Sequence, residues 1–250
     1  MSDIKIGVIA EGKTDVILIE GILKKIFAQY PITVVSISPT ENEINLLDKK
    51  CEGFGWRSVF VICSELQKRI EMQQIIGNVF DFIVIQIDGD VLLASYEDIG
   101  VNTDPNILGR LNYDSSLSIS ENCNYLEENV ILRHWIKNVP DIPIIFCVPF
   151  INSDIWAAYI LYDNQRNDLA ESTTKKNLNT VICTRYNGKR LANHKSNGKL
   201  KKIVSSYITT IELLDRQLWK ELTQKFSQAQ KFNDKINTAL YALKGNQYEL

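Results

Sequence analysis

The chain has 250 residues, 45% of them hydrophobic with four Trp, and a formal net charge of −2. That supplies an ample core for one large domain, or one domain with a small appendage, and the net charge by itself gives no sign of nucleic-acid binding. No uninterrupted apolar run approaches the roughly 20 residues of a membrane helix. The opening Met1-Ser2-Asp3-Ile4-Lys5 lacks the basic and long apolar regions of a signal peptide. Cys51, Cys63, Cys123, Cys147 and Cys183 are scattered without C-x-x-C spacing, which argues against a zinc site and a disulfide framework. Cys63 and Cys147 lie in apolar runs and read as core. The expected compartment is a reducing cytoplasm, with no membrane attachment.

In chain order, Ile4 to Ala10 is an apolar run that stops abruptly at Glu11-Gly12. Thr14 or Asp15 can cap the next helix, whose apolar residues Val16, Ile19, Ile22 or Leu23 and Ile26 or Phe27 recur at helical spacing. Gln29-Tyr30-Pro31 ends it. Ile32 to Ile37 is a second strand, followed by Ser38-Pro39 and a loop into a short helix. Gly53-Phe54-Gly55-Trp56 is a turn whose backbone N–H groups could face a phosphate or simply open a helix. Arg57 to Ile76 reads as one crossover helix. Phe82 to Ile87 is a third strand, ending in Asp88-Gly89-Asp90. Residues 95–124 form an irregular insertion. Tyr125 to Val139 is helical, and Ile142 to Val148 is a fourth strand closed by Pro149-Phe150.

Asn152-Ser153-Asp154 caps a helix over Ile155 to Tyr162. Asp163 to Thr180 reads as a polar loop. From Ser172 to Ile211 there is no acid, and the window holds nine cations: Lys175, Lys176, Arg185, Lys189, Arg190, Lys195, Lys199, Lys201 and Lys202. The rest of the chain therefore sums to −11. Such polarity suits an acid-lined metal site beside a phosphate-binding arm, against the plain alternative of a solvated face. Two Asn-Gly pairs, Asn187-Gly188 and Asn197-Gly198, fit hairpin tips. Leu200 to Tyr207, Ile211 to Phe226 and Phe232 to Leu243 read as helices. The division expected is an α/β domain over 1–165 and, packed on it, a basic loop and helical C-terminal section over 166–250.

Short apolar runs bounded by glycine turns suit strands buried on both faces of a parallel sheet, and ligands of such sheets bind beyond the strands' carboxyl ends. Two neighbouring strands of this kind would bring Glu11, Asp88 and Asp90 together. Unpaired, three carboxylates raise each other's pKa. A hard divalent cation, Mg²⁺ or Mn²⁺, relieves the repulsion. An EF-hand reading of Asp88-Gly89-Asp90 fails, because the next residues are Val91-Leu92-Leu93-Ala94.

A strand ending in Glu-Gly, a helix, and a later strand ending in Asp-x-Asp resembles the Toprim domain of topoisomerases, bacterial primases and nucleases of the overcoming-lysogenization-defect type. The resemblance covers roughly the first two thirds of the chain. The Glu11-Gly12-Lys13-Thr14-Asp15 form looks most like the stand-alone Toprim-like proteins of bacterial defence loci, whose genes often sit beside that of an ATPase. It implies a Rossmann-type, mainly parallel four-stranded sheet flanked by helices. It also implies a Mg²⁺-dependent nuclease on DNA or RNA, a toxic effector held by an ATPase partner. In that group an acid followed two residues later by Trp opens the helix after the fourth strand. Asp154 and Trp156 hold those places, although glutamate is commoner there. Asp154 is thus either a helix-start residue or a metal or water-positioning one.

In this reading Asp88 and Asp90 hold metal, and Glu11 is either a ligand or the general base. Lys13, Arg185, Lys189, Arg190, His194, Lys195 and Lys199 are the candidate nucleic-acid contacts. Asp15 is a cap or an outer partner. There is no G-x-x-x-x-G-K-[ST], so any ATP-driven step belongs to a partner. Two alternatives stay open: a Toprim-fold binding subunit without catalysis, and a small-nucleotide hydrolase or synthetase on the same metal site. A homo-oligomer is compatible with either.

Overall fold

The computed structural model describes residues 3–37, 55–99, 101, 105–162, 169–185, 188–196 and 199–246. Four strands, β1 (Ile4–Ile9), β2 (Ile32–Ser36), β3 (Phe82–Gln86) and β4 (Ile144–Cys147), form one sheet in the order β2-β1-β3-β4. Every pairing is parallel. The fold is α/β, with helices flanking the sheet and a helical C-terminal section, as the alternation of apolar runs and helical stripes predicts. The central strands are buried on both faces. All of β3 is inaccessible, and β1 is nearly so, whereas edge strand β2 is only half-buried. This is why β1 and β3 read as near-continuous apolar runs rather than alternating ones. Cys63 and Cys147 are buried free thiols, as their surroundings suggest.

From β1 the chain steps outward to β2, then crosses to the opposite side for β3 and β4. The direction of winding reverses between β1 and β3. Their carboxyl ends, carrying Glu11 and Asp88, flank that reversal, the position at which open parallel sheets leave a crevice for ligands.

Helix α1 (Lys13–Ile26) returns from β1. Its N-cap is Gly12, in extended backbone and without a side-chain cap, so neither Thr14 nor Asp15 caps it. Both are buried in its first turn instead. The crossover before β3 is two helices, α2 (Trp56–Ser64) and α3 (Leu66–Ile75), broken at Glu65. Ile62, Cys63, Leu66 and Ile70 are all buried and keep helical spacing across the break, so the apolar pattern that predicts a single helix does not mark it. The short helix expected before Gly53 lies outside the described residues.

A 3₁₀ turn at Gly89–Leu93 follows β3, and the irregular insertion contains a second at Tyr96–Ile99 and the short α4 (Pro105–Leu108). Its end is regular. Helix α5 (Ile119–Tyr125) starts on a capping box between Ser118 and Glu121 and runs directly into a π-helical stretch, Leu126–Trp135. The helical run therefore begins six residues before the expected Tyr125 and ends at Trp135, whose indole donates 2.8 Å to Tyr96 Oη.

Helix α6 (Asp154–Leu161) has all eight residues buried. Around it pack α7 (Lys175–Cys183), α8 (Val204–Leu213) and α9 (Arg216–Lys225), while α10 (Ser227–Asn246) lies along β4. Helix α7 occupies what read as the second half of a polar loop. Its amphipathic residues Leu178, Val181 and Ile182 are buried, and Thr174 caps it. Strands β5 (Ala192–His194) and β6 (Leu200–Lys202) pair antiparallel, and the second Asn-Gly pair, expected as a hairpin tip, lies outside the described residues. Leu200–Lys202 is thus strand, not helix, and α8 starts only at Val204. No helix among the described residues is long and apolar enough to cross a membrane.

Gly21 of α1 faces α8. A Cβ built there would lie 2.4–2.6 Å from three side-chain carbons of Ile211. Ile211 is β-branched, so those carbons cannot all swing away without backbone movement. Alanine at a mid-helix glycine normally gains up to about 1 kcal/mol. Here the clash dominates, and Gly21→Ala is expected to lower unfolding stability by about 1–3 kcal/mol in urea denaturation. Unchanged or raised stability would mean that α1 and α8 do not approach this closely.

Candidate metal and nucleic-acid site

The strand ends are joined by a cycle of hydrogen bonds. The Asp88 backbone N–H donates 2.7 Å to Glu11 Oε1. The Glu11 backbone N–H donates 3.2 Å to Gln86 Oε1, and Gln86 Nε2 donates 2.8 Å to Asp88 Oδ1. Gln86 is completely buried at the end of β3. Its amide spends both ends on this cycle, which fixes the register of the two strand termini and aims the Asp88 carboxylate. Gly89 continues the packing: its N–H donates 2.7 Å to the Pro149 carbonyl, and a Cβ on it would sit 2.5 Å from the Phe150 carbonyl oxygen. The Asp-Gly-Asp spacing thus reflects a backbone contact between the ends of β3 and β4.

Helix α6 supplies the next layer. The Ser153 N–H donates 3.1 Å to Asp88 Oδ1, and its hydroxyl donates to Asp15 Oδ1. Asp154 accepts from the hydroxyl of Tyr207 and pairs at 2.9 Å with Lys202 Nζ, which also lies 3.8 Å from Asp15. Asp15, Asp88 and Asp154 are all at most 5% exposed. Asp90, two residues on from Asp88, is held at 2.5 Å by Lys175.

Five carboxylates (Glu11, Asp15, Asp88, Asp90 and Asp154) thus share this end of the sheet with two ammonium groups. Burial pushes the Glu11 carboxyl up to about 8; the Asp88 N–H opposes this, and the charges of Asp15 and Asp90 add to it. Asp88 is raised well above the carboxylate range by burial and by Glu11 and Asp15. Asp15 is raised by burial, against the pull of Lys202. For Lys202, burial disfavours the charge, but Asp154, Asp15 and Asp88 outweigh it and raise the pKa. The Tyr207 hydroxyl is held protonated by burial and by Asp154.

The expected trio is therefore split. Glu11 and Asp88 are directly linked, Asp90 stands beside them on Lys175, and Asp154 belongs with Asp15 and Lys202. Among the described residues, no three acidic, histidine or cysteine side chains converge in a ready ligating arrangement. The sequence does not assign Lys202, Tyr207, Gln86 or Ser153 to this site, although it offers Ser153 as part of a helix cap and Lys202 as one cation of the basic stretch. Gln86, the one polar residue inside an apolar strand, carried a readable signal. Lys202, one of nine cations in its stretch, carried none.

None of the candidate nucleic-acid contacts takes part in the hydrogen bonds and ion pairs of this cluster given above. Lys13 is exposed on the first turn of α1, and His194 and Lys195 are exposed at the β5–β6 tip, near Lys199. Arg185, Lys189 and Arg190 come together around a polar cavity of about 310 Å³, closed by the first turn of α8 with Ser205 and Ser206. Among the described residues none of these three cations has an acidic partner.

The raised carboxyls have a sign that can be measured. Between its ordinary 4.5 and about 8, the folded chain keeps a proton on Glu11 that the unfolded chain has released. Folded stability therefore falls as pH rises through that window, and Asp88 and Asp15 act in the same direction. Without divalent cations, Tm is expected to drop between about pH 5 and pH 8, and Glu11→Gln is expected to flatten part of the drop. A Tm that rises across the window would contradict the assignment. Compared with protein-family models, curated proteins and solved structures, the chain finds no match.

Proposed function

We infer that this chain is a Mg²⁺-dependent nuclease of Toprim type, hydrolysing phosphodiester bonds of DNA or RNA. The observation that carries this reading is the Glu11–Asp88 junction at the winding reversal, set among buried acids that outnumber their cations. The donor set fits a hard dication. It is all oxygen, and Glu11, Asp88 and Asp15 are raised chiefly by burial, with neighbouring carboxylates adding to it, a cost that such an ion would offset. Among the described residues no donor reaches Glu11 Oε2 or Asp88 Oδ2, so Glu11 and Asp88 would hold the ion, with Asp90 beside them. Bound there, Mg²⁺ or Mn²⁺ polarises the phosphodiester and lowers the pKa of a water.

The protein's own residues do the positioning. Gln86 and the Ser153 N–H orient Asp88 Oδ1, leaving its other oxygen for the ion. If the ion is held by Asp88 and Asp90 instead, the ionised Glu11 carboxylate would be the group that accepts a proton from the attacking water. Lys175, now on Asp90, would be in place to bind a phosphate oxygen if Asp90 helped to hold the ion. Arg185, Lys189 and Arg190 bind the backbone at a distance. Resemblance alone supports the wider setting, an antiviral toxic effector governed by an ATPase partner.

A second reading, a binding subunit without catalysis, is favoured by one feature. Lys202 and Lys175 already put ammonium charge against Asp154 and Asp90. An amine in that place can stand where a metal has been lost.

Supercoiled DNA, linear DNA and RNA incubated with the protein and Mg²⁺ or Mn²⁺ separate the two. Cleavage is expected, with Glu11→Gln and Asp88→Asn each slowing it by at least about 100-fold. No cleavage, together with no Mn²⁺ uptake in calorimetry, would establish the binding subunit. Polymer binding should also weaken steeply with salt. Replacing Arg185, Lys189 and Arg190 by Ala should reduce the slope of log K against log salt by about 0.7–0.9 for each phosphate that is no longer neutralised. An unchanged slope would remove this cavity from the binding track.

A further inference from the structure

A second cavity, of about 560 Å³, opens directly beside the acids, with Gly89 and Asp90 in its wall. Three aromatic side chains, Trp56, Tyr113 and Phe150, line it together with Leu93 and Ile151. Trp56 is fixed in place by stacking on the buried Trp135, centroids 6.0 Å apart and planes 18° apart. Tyr113 and Phe150 meet at 5.6 Å with their planes inclined by 42°. The polar side chains are few: besides Asp90, they are Asp98, the Ser172 and Thr174 hydroxyls, and the Lys175 ammonium that contacts Asp90. The size falls within the roughly 300–1,000 Å³ of small-molecule sites, and apolar walls with a few placed polar groups are their usual lining.

The proposed phosphodiester chemistry leaves this cavity without a role. The group that enters it must be flat and apolar on its faces, must carry hydrogen-bonding edges, and must be attached to whatever sits at Asp90 and Lys175. A purely aliphatic occupant would take water from Asp98 and Lys175 and offer them no polar contact beyond those they already have with the Ser95 N–H and Asp90. In a phosphodiester substrate the neighbour of the reacting phosphate is a nucleoside. We propose that the cavity bounded by Trp56, Tyr113 and Phe150 receives an unpaired nucleobase next to the phosphate held at Asp90 and Lys175. The proposal rests on the phosphodiesterase reading of the site and narrows its substrate. A base stacked within a duplex has both faces covered and cannot lay one against these rings, so the substrate is a single strand, a frayed end or a nucleotide turned out of the helix.

The test is fluorescence anisotropy on the full chain in Ca²⁺. A labelled single-stranded oligonucleotide is compared with one of the same length whose bases are replaced by abasic residues, at low salt. Stacking on one aromatic is worth about 1–3 kcal/mol per base, so the base-bearing strand should bind at least about fivefold more tightly. Tyr113→Ala should abolish that preference. Ser172→Leu, at an exposed rim position that leaves the fold intact, should abolish it too by filling the cavity without adding a planar face. Asp88→Asn should keep it. Competition by a nucleoside monophosphate, but not by ribose 5-phosphate, would add that free nucleotides use the same cavity. Equal binding of the two strands by the wild type, with cleavage intact, would overturn the base pocket alone. Failure to bind either strand, with no cleavage, would overturn the nuclease reading and the pocket with it.

Discussion

Excess negative charge, buried at one end of a parallel sheet, is the constraint around which this molecule is arranged. Three of the carboxylates are almost sealed from water. A buried carboxylate without a partner either takes up a proton or draws a cation to itself. The chain uses both responses. Glu11 and Asp88 are shifted toward the protonated form, while Asp15 and Asp154 share the ammonium of Lys202. A fold driven only by apolar burial would have no reason to gather these groups. Their placement has an energetic cost that core packing elsewhere must offset, a pattern found where a ligand is meant to complete the electrostatics.

The hydrogen-bond cycle through Gln86 gives that arrangement its rigidity. It ties the backbone of one strand end to the side chain of the other, so Glu11 and Asp88 cannot drift independently. Ser153 extends the connection into α6, bonding Asp88 through its N–H and Asp15 through its hydroxyl. Because every residue of α6 is buried, that helix has little freedom to move. The acids are held by strands and a core helix, and the cations that meet them come from the periphery. Precision lies on the acidic side of the site and adaptability on the basic side.

The parts legible in the sequence are those set by one residue's immediate surroundings. The apolar runs marked all four sheet strands to within a few residues, and the glycines after Glu11 and Asp88 marked where they stop. The features that escaped notice depended on contacts between distant segments. Lys202 resembles its neighbours Lys201 and Lys199 in every local respect; only the pairing of β5 with β6 turns it toward Asp154. The same pairing converts Leu200–Lys202 from an apparent helix start into a strand. The break at Glu65 and the buried turn at Leu214 were hidden because their apolar residues fit a continuous stripe. The sequence leaves Asp15 open between a helix cap and an outer partner, and only its burial against Ser153, with Gly12 as the N-cap, removes the first.

Lys202 and Tyr207 also bear on how the chain can be divided. By sequence the α/β portion ends near residue 165, and the remainder looks like an appendage. Yet the neutralising ammonium and the phenol bonded to Asp154 both come from that later portion. A fragment cut after the fourth strand and its helix would keep every acid and lose the groups that make their burial tolerable. The proposed catalytic half is therefore not an autonomous module to which a basic arm was added. The two stretches are electrostatic complements, and evolutionary loss or exchange of the second would have to be matched by changes at Asp15 and Asp154.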